Sequence, residues 1–489
     1  MITALDEEFE AYQYSLESSV WQESLPTFQF YASENVSSTP KVSVIIANFN
    51  NESYLNNMMD SLVQQTIGLE QLQIMFIDDK STDDSLEIIR PYVEHYQSIE
   101  VYALDQNTGG AHGPRNVGIL NARGDYLVFL DADDWYDLDA LRYLSQLLDA
   151  SGDDFAVSGL VQSRNGEISL KSKPYFYDGD FKNRSIQDLP AEFYGWLGPQ
   201  AIMLRRSLVI ENELHFVNQR VADDVTFFYE AMRFAKTITQ GKELTTYLNR
   251  DADNVSLSKS INRQFMISWL RALSYINMTF PDDISKERFL ARRIEWLIHD
   301  FCLKRDIGYK FSKMRLQDFK SQLDRYLGTI TFDPSPYFRN DFRKTAWQYL
   351  TKNDISGLYR FILLFSVRWV LNRKLGMKTR KEDTYFFPQL FRGLIETRLD
   401  AYAEAVSYAD GKIKAKVFSY KEVVGFEIYD IKRPYGTRMQ LIHQRESENE
   451  YQITLPDDYD DNKKRFVVVF EDYSEIGVQD FRKVFIKED

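Results

Sequence analysis

Asp125-Tyr126-Leu127-Val128-Phe129-Leu130-Asp131-Ala132-Asp133-Asp134-Trp135 is the stretch that decides the fold of this 489-residue chain. Tyr126 to Leu130 is continuously apolar, the pattern of a strand covered on both faces as in a parallel sheet. Asp131, Asp133 and Asp134 follow at its carboxyl end. Carboxylates crowded there repel one another unless a cation lies among them. A hard divalent ion, Mg²⁺ or Mn²⁺, takes oxygen ligands and still holds phosphate oxygens. The plain alternative is a solvated acidic loop at a strand end, and the flanking sequence decides between the two.

Outward from this stretch a rhythm runs from Lys41. Val42 to Ala47 is a buried-type strand, Asn50 and Asn51 offer a helix cap, and Leu55, Met58, Leu62 and Val63 mark one helical face. Leu72 to Ile77 is a second strand, ending in Asp78-Asp79-Lys80-Ser81-Thr82-Asp83. A helix follows despite Pro91, then a third strand at Glu100 to Leu104, a glycine-rich turn and another helix. Such alternation with short links predicts an α/β domain on a parallel sheet with right-handed crossovers. Ligands of these sheets gather beyond the carboxyl ends of the strands. Asn48, Asp78 and Asp79, Asn107 to Arg115, and Asp131 to Asp134 all fall at that edge, so the sheet has a site.

Residue types sketch its chemistry. Asp79 suits a hydrogen bond from a base or ribose, as acidic residues do at nucleotide crevices. Gly109-Gly110-Ala111-His112-Gly113-Pro114-Arg115-Asn116 lets backbone approach a ligand, and Arg115 near a helix start supplies a bidentate donor for phosphate. His112 is equally a hydrogen-bonded structural residue or a ligand contact. There is no Gly-x-x-x-x-Gly-Lys-Ser/Thr stretch, which disfavours a phosphate-loop kinase or ATPase, and no Gly-x-Gly-x-x-Gly after the first strand, which weakens a nicotinamide enzyme.

Val42 to Asn50 (VSVIIANFN), Ile77 to Asp83 (IDDKSTD), Gly113 to Gly118 (GPRNVG) and Phe129 to Asp134 (FLDADD) resemble the successive motifs of family 2 glycosyltransferases with the GT-A, Rossmann-like fold. The resemblance spans roughly residues 41–260. It implies an inverting transferase using a nucleotide-diphosphate sugar, usually a uridine one. By position, Ala47, Asn48 and Asp79 would frame the base, Arg115 would approach the donor nucleotide or diphosphate, and Asp131 and Asp133 would form the D-x-D motif that holds the metal. Lys80 departs from the glycine common in the family, which puts the geometry of that turn in question.

Farther on, Phe155 to Gln162 and Ile168 to Leu170 flank Asn165-Gly166, a hairpin signal. Gly195 to Arg206, with Trp196 and Arg206, resembles the family's acceptor-side segment. Asp223 and Asp224 open a helix; dipole partnership is the plain reading of two acids there. The resemblance instead makes them the Glu-Asp motif, with Asp replacing Glu at 223 and Asp224 as general base. Tyr247, Arg250 and Ser256 resemble a pattern of the teichoic-acid-modifying members, where such residues hold donor phosphates or close a loop over the site.

The remaining chain frames this domain. Residues 1–40 contain no Lys, Arg or His and read as an acidic amphipathic helix followed by coil, packed on the chain or serving as a partner-binding arm. Residues 261–400 form a helical linker, with a core stripe at Leu290, Ile294, Leu297, Ile298 and Phe301. Phe365 stands where the Gln-x-x-Arg-Trp motif of processive synthases requires Gln. Arg368, Arg373, Lys374, Lys378, Arg380 and Lys381 are a solvated face or a landing strip for a polyanion or anionic lipid. In residues 401–489 the period becomes two, with strands at Lys412 to Val417, Tyr451 to Leu455, Phe466 to Phe470 and Phe481 to Ile486, a small antiparallel β-sandwich. An immunoglobulin-like end after a helical linker resembles wall-teichoic-acid glycosyltransferases of Gram-positive bacteria, some of which oligomerise through it.

Composition bounds the rest. One cysteine, Cys302, excludes an internal disulfide, and five scattered histidines disfavour structural zinc. The start shows no secretory signal and no run spans a bilayer, so the expected location is cytoplasmic, with peripheral association at the inner membrane face left open. A net charge of −14 argues against nonspecific nucleic-acid binding. The expected function is metal-dependent transfer, with Mn²⁺ or Mg²⁺, from UDP-GlcNAc, UDP-Glc or UDP-Gal to a hydroxyl of a polyanionic or polysaccharide acceptor such as wall teichoic acid or capsule. A noncatalytic glycan-binding scaffold on a transferase-like fold is the alternative. A nucleotidyltransferase is disfavoured because Asn48-Phe49-Asn50-Asn51-Glu52 is not a basic glycine-rich segment.

Overall fold

The computed structural model describes residues 25–164, 167–172, 181–189, 193, 198–219, 221–251, 262–303, 310–338, 341–363, 401–419, 422–430, 439–456, 464–470 and 475–478. The predicted amino-terminal helix, the turn Asn165-Gly166, Trp196, Ser256, the basic run from Arg368 and the strand at Phe481 lie outside them. Described residues through 166, Leu170–Leu290 and Gln322–Phe332 make one compact unit; those of Glu167–Ser169, Ala291–Ser321 and from Asp333 onward make a second.

In the first unit, β2 (Val42–Asn48), β3 (Leu72–Asp78), β4 (Ile99–Leu104) and β5 (Tyr126–Asp131) pair in parallel in the order β4-β3-β2-β5. Every residue of β3 is buried, which explains why its sequence does not alternate. Helices α1 (Leu55–Val63), α2 (Ser85–His95) and α3 (His112–Asn121) alternate with these strands as predicted, and α4 (Ala140–Ser151), absent from that expectation, follows β5. Leu55, Met58 and Leu62 join Ile89, Leu144 and Leu148 on Val44, Ile46 and Phe76 in one core. α3 lies close to β2: a Cβ at Gly118 would overlap the Ile45 side chain, so glycine sets that approach.

The sheet is mixed rather than wholly parallel. β1 (Phe28–Ala32), in the stretch expected as coil, pairs antiparallel with β4, and the Phe28 and Phe30 rings each lie 5.1 Å from Tyr102. Beyond β5 come β6 (Trp135–Tyr136), β7 (Phe155–Arg164), β8 (Glu167–Ser172), β9 (Phe181–Arg184), β10 (Ile202–Arg205) and β11 (Ile238–Asn249). β10 inserts antiparallel between β5 and β7, β11 runs parallel to β7, and β6 and β9 pair with β11. Asn50 and Asn51 do not cap α1, whose cap position is Tyr54. Asn50 sits at φ 55 and its Oδ1 accepts from Thr82 N, tying the loop after β2 to the loop after β3. Helices α5 (Arg206–Glu211), α6 (Asp223–Phe234) and α7 (Arg263–Thr279) complete what positions the site.

Helices α8 (Ile284–Leu297), α9 (Lys313–Leu327) and α10 (Asp341–Thr351) follow, and the predicted stripe Leu290, Ile294, Leu297, Ile298 and Phe301 is fully buried. Among the described residues no helix is long and apolar enough to cross a membrane. At the carboxyl end, β12 (Ala401–Ala409), β13 (Lys412–Ser419), β17 (Glu450–Thr454) and β16 (His443–Arg445) form one antiparallel sheet. β15 (Met439–Leu441), β14 (Val423–Asp430), β18 (Lys464–Phe470) and β19 (Glu475–Gly477) form another. Ile413, Ala415 and Ile453 of the first share a core with Phe426, Ile428 and Val468 of the second. Asp410 (φ 51) and Gly411 (φ 70) make the two-residue turn between β12 and β13, with the positive φ pair that matches strand twist.

Candidate functional site

Strand register builds the site. Ala47 lies level with Asp131 and Asn48 level with Asp78, so side chains far apart in sequence leave the sheet at one edge. Beyond it opens a pocket of 660 Å³. The pocket brings together Ala47, Asn48, Asp79, Arg115, Asp131, Asp133, Asp223, Asp224 and Arg250, all predicted site residues. It also contains Asp134, the third carboxylate of the acidic cluster, and residues that the sequence did not single out: Gln200, Phe265 and Trp269.

At one side Asp79 Oδ1 accepts from both Thr108 N and Thr108 Oγ1 at 2.9 Å, and Asn107 donates to the Asp79 carbonyl at 2.8 Å. Burial pushes the Asp79 carboxyl up to about 6, although those Thr108 hydrogen bonds oppose it. Asn48 donates to Asp78 Oδ1 and Ser81 Oγ, bracing the same loop. Lys80 takes φ 63, so lysine occupies the left-handed backbone that glycine adopts without strain; the turn is kept despite the residue. Ala201 (φ 57) and Ala222 (φ 63) are strained in the same way, and each adjoins a pocket residue, Gln200 or Asp223.

Asp131, Asp133 and Asp134 present ligand oxygens within 4.8 Å of one another. All are hard donors, the set that suits Mg²⁺ or Mn²⁺. Asp134 is buried, accepts from Asn249 N at 2.8 Å, and is raised well above the usual carboxylate range by burial and then by its neighbours Asp133 and Asp131. A cation relieves that repulsion, so the residues fit a metal. Trp135 stacks on Tyr247 with ring centroids 5.6 Å apart, fixing the strand end that follows the acids.

Arg115 is buried and forked between two acids, Nη2 to Asp131 Oδ1 at 2.7 Å and Nη1 to Asp223 Oδ2 at 3.0 Å, with its guanidinium 5.0 Å from the Phe216 ring centroid. These carboxylates hold it charged against the cost of its burial. Burial pushes the Asp223 carboxyl up and Arg115 opposes the rise. Asp223 therefore anchors Arg115, and Asp224, the next residue of α6, lines the pocket. Gly198 lies against it; a Cβ there would be 3.5 Å from Asp224 Oδ2. Phe265 and Trp269 sit one turn apart on α7. Gln219 Nε2 holds that helix near Asp224 by donating to Val221 O at 2.5 Å and Ser268 O at 3.1 Å. Aromatics at i and i+4 were legible as a helical face but not as a pocket wall, because nothing local says what a face meets.

Arg206 corrects the sequence expectation of an acceptor-side residue. Its Nε donates to Ala122 O at 2.8 Å and its backbone N to Asp125 O, at the amino end of β5, the far end of the strand from the pocket. The short β10 reverses direction beside β5 and carries residue 206 there. His112 is buried, and burial and then the Arg115 charge push it down to about 4, which favours the neutral imidazole. Trp196 and Ser256 lie outside the described residues.

Comparison with known proteins follows this geometry. Residues 43–209 match the model of glycosyl transferase family 2. The chain is 27% identical over 329 residues to a poly(ribitol-phosphate) beta-glucosyltransferase of Bacillus spizizenii, covering 66% of this chain and 50% of that protein. It is 23% identical over 389 residues to the poly(ribitol-phosphate) beta-N-acetylglucosaminyltransferase TarS of Staphylococcus aureus, covering 78% and 63%. Thus it spans between half and two thirds of the length of these relatives. The crystal structure of S. aureus TarS 1-349 in complex with UDP-GlcNAc superposes with a TM-score of 0.57 at 19% identity, over 73% of this chain and 99% of that one, a likeness of fold.

Proposed function

Residues 43–209 form a glycosyl transferase family 2 domain, and from that premise we propose that the protein is an inverting, metal-dependent hexosyl- or N-acetylhexosaminyltransferase. Its donor is a UDP-sugar of the GlcNAc, Glc or Gal type, and its acceptor is a hydroxyl of a teichoic-acid or capsular polymer. One observation carries the reading: the acids ending β5 and Asp224 opening α6 border one pocket. The names of the relatives support the acceptor class.

In this reading Asp79, Ala47 and Asn48 receive the base. Asp131 and Asp133, with Asp134 beside them, would hold Mn²⁺ or Mg²⁺, which when bound would neutralise charge on the departing diphosphate. Asp224 takes the proton of the acceptor hydroxyl as that oxygen bonds to the anomeric carbon and the bond to UDP breaks on the opposite face. General-base catalysis of this kind contributes about 10²- to 10⁴-fold. One displacement inverts the centre. Arg250 and Ser256 serve the diphosphate, and Trp196 the acceptor. We place the enzyme in the cytoplasm at the inner membrane face. We also read the two carboxyl-terminal sheets as an immunoglobulin-like module that binds glycan or a second copy of the chain.

Incubation with UDP-sugars and Mn²⁺, followed by UDP release with and without poly(ribitol phosphate), tests the proposal. Slow release without acceptor and faster release with it are expected. A protein that binds no nucleotide would instead be a glycan scaffold.

A further inference from the structure

Asp131 has both oxygens engaged: Oδ1 by Arg115 at 2.7 Å and Oδ2 by the Gln200 amide at 2.9 Å. Gln200 reaches it from the turn before β10, and that turn is built to hold it. Ala201 sits at φ 57, and its carbonyl accepts from Ser158 N at 2.9 Å and Ser158 Oγ at 3.4 Å, which fastens the kink to β7. Gly198 fills the space between Gln200 and Asp224, since a Cβ there would lie 3.1 Å from Gln200 Oε1 and 3.5 Å from Asp224 Oδ2. The chain Gln200, Asp131, Arg115, Asp223 thus links the loop after β5 to the start of α6 through hydrogen-bonded contacts of 3.0 Å or less.

We propose that Gln200 is a positioning residue of the transferase, one that fixes the orientation of the Asp131 carboxylate. Asp131 then serves as a strut between the metal-side loop and the helix of the base. An isolated buried amide would contribute only packing. Two charge-assisted donors on one carboxylate instead fix its rotamer and so the direction in which its remaining lone pairs face. The strut then makes the aim of Asp224 depend on residue 200 through Asp131 and Arg115. This rests on the function proposed above.

The experiment compares wild type, Gln200→Ala, Asp131→Asn and the double variant. Gln200→Ala is expected to lower kcat for transfer 10- to 100-fold with donor KM within about twofold, the split of an orientation defect. The double variant should be no worse than the poorer single one, because residues acting through a shared contact are non-additive. Mn²⁺ titration by electron paramagnetic resonance without donor should show several-fold weaker binding in Gln200→Ala, as the Asp131 oxygens are no longer held beside those of Asp133 and Asp134. Gln200→Asn, which keeps the amide, should recover part of kcat. Should Gln200→Ala simply misfold, its melting curve shows it, and Gln200→Asn and Gln200→Met, which keeps the bulk without the donor, carry the comparison in its place. Additive losses, a raised donor KM with normal kcat, or unchanged Mn²⁺ binding each overturn the inference while wild type still releases UDP. A wild type silent toward every UDP-sugar overturns the proposed function and this inference with it.

Discussion

At the scale of single residues, Asp224 carries the most weight. Its neighbour Asp223 is engaged by Arg115, and in the proposed mechanism Asp224 is the destination of the acceptor hydroxyl's proton. Asp224→Asn is expected to cut transfer at least 10²-fold while UDP affinity by calorimetry stays within twofold; transfer at the wild-type rate would remove it from the role. Asp79 offers a pH test. Its carboxyl is raised to about 6, so in the free protein it is ionised above that pH and neutral below. The ionised form is the stronger acceptor for a base N–H, so uridine affinity measured without metal should be flat above about pH 7, pass through half its plateau near pH 6 and fall further toward pH 5. Asp79→Asn should be weak and flat throughout. Lys80 could not be settled from sequence, where its departure from glycine left the turn open. The backbone at φ 63 answers it: the turn persists and the lysine is strained. Lys80→Gly should therefore stabilise the fold by about 0.5 kcal/mol in urea denaturation, the relief from left-handed strain being partly offset by the entropy of an unfolded glycine.

Elements were legible in the sequence in proportion to how local their cause is. β2, β3, β4 and β5 are buried on both faces, and apolar runs report that directly, Tyr126 to Leu130 in β5 and the shorter Val44 to Ala47, Ile74 to Ile77 and Val101 to Leu104 in the others. β1 and β10 were missed for opposite reasons. β1 is an edge strand whose exposed Phe30 looks like coil composition, and β10 has four residues, too few for a period to show. Gln200 was invisible because its partner lies 69 positions away and only the insertion of β10 beside β5 brings them together. The contact between α6 and α7 makes a further prediction. Tyr275 of α7 donates to Glu230 Oε1 of α6 at 2.5 Å, and burial raises Glu230 to about 7. A carboxyl whose folded value exceeds its unfolded one favours folding when protonated. Its contribution is full below about 4.5, declines as pH rises, and is gone above 7. Glu230→Gln, neutral at every pH, should gain on the order of 1 kcal/mol over wild type at pH 8, with the gap closing at pH 5. A gap independent of pH would show that the carboxylate is ionised throughout.

For the whole molecule, charge is the property that sequence gives completely and structure only locates. The chain carries −14 and its pocket is lined by six aspartates against two arginines, yet the proposed donor and acceptor are both anions. Two ranges of interaction then compete. At about 10 mM salt the Debye length is about 30 Å, so a polyphosphate feels the net negative field of the chain; at about 150 mM it is about 8 Å, and only nearby charges count. The six cations between Arg368 and Lys381 are the densest positive run in the sequence and would act at that short range. The acceptor KM for poly(ribitol phosphate) should therefore fall as salt rises from the lowest value, because long-range repulsion is screened first. It should rise again at higher salt as local attraction is screened in turn. Replacing Lys374, Lys378 and Arg380 by Glu should abolish the second limb and leave UDP release without acceptor unchanged. A KM that climbs steadily from the lowest salt would mean that the local cations govern at all distances. A KM that only falls would mean that the basic run takes no part and the acceptor is held by groups other than charge.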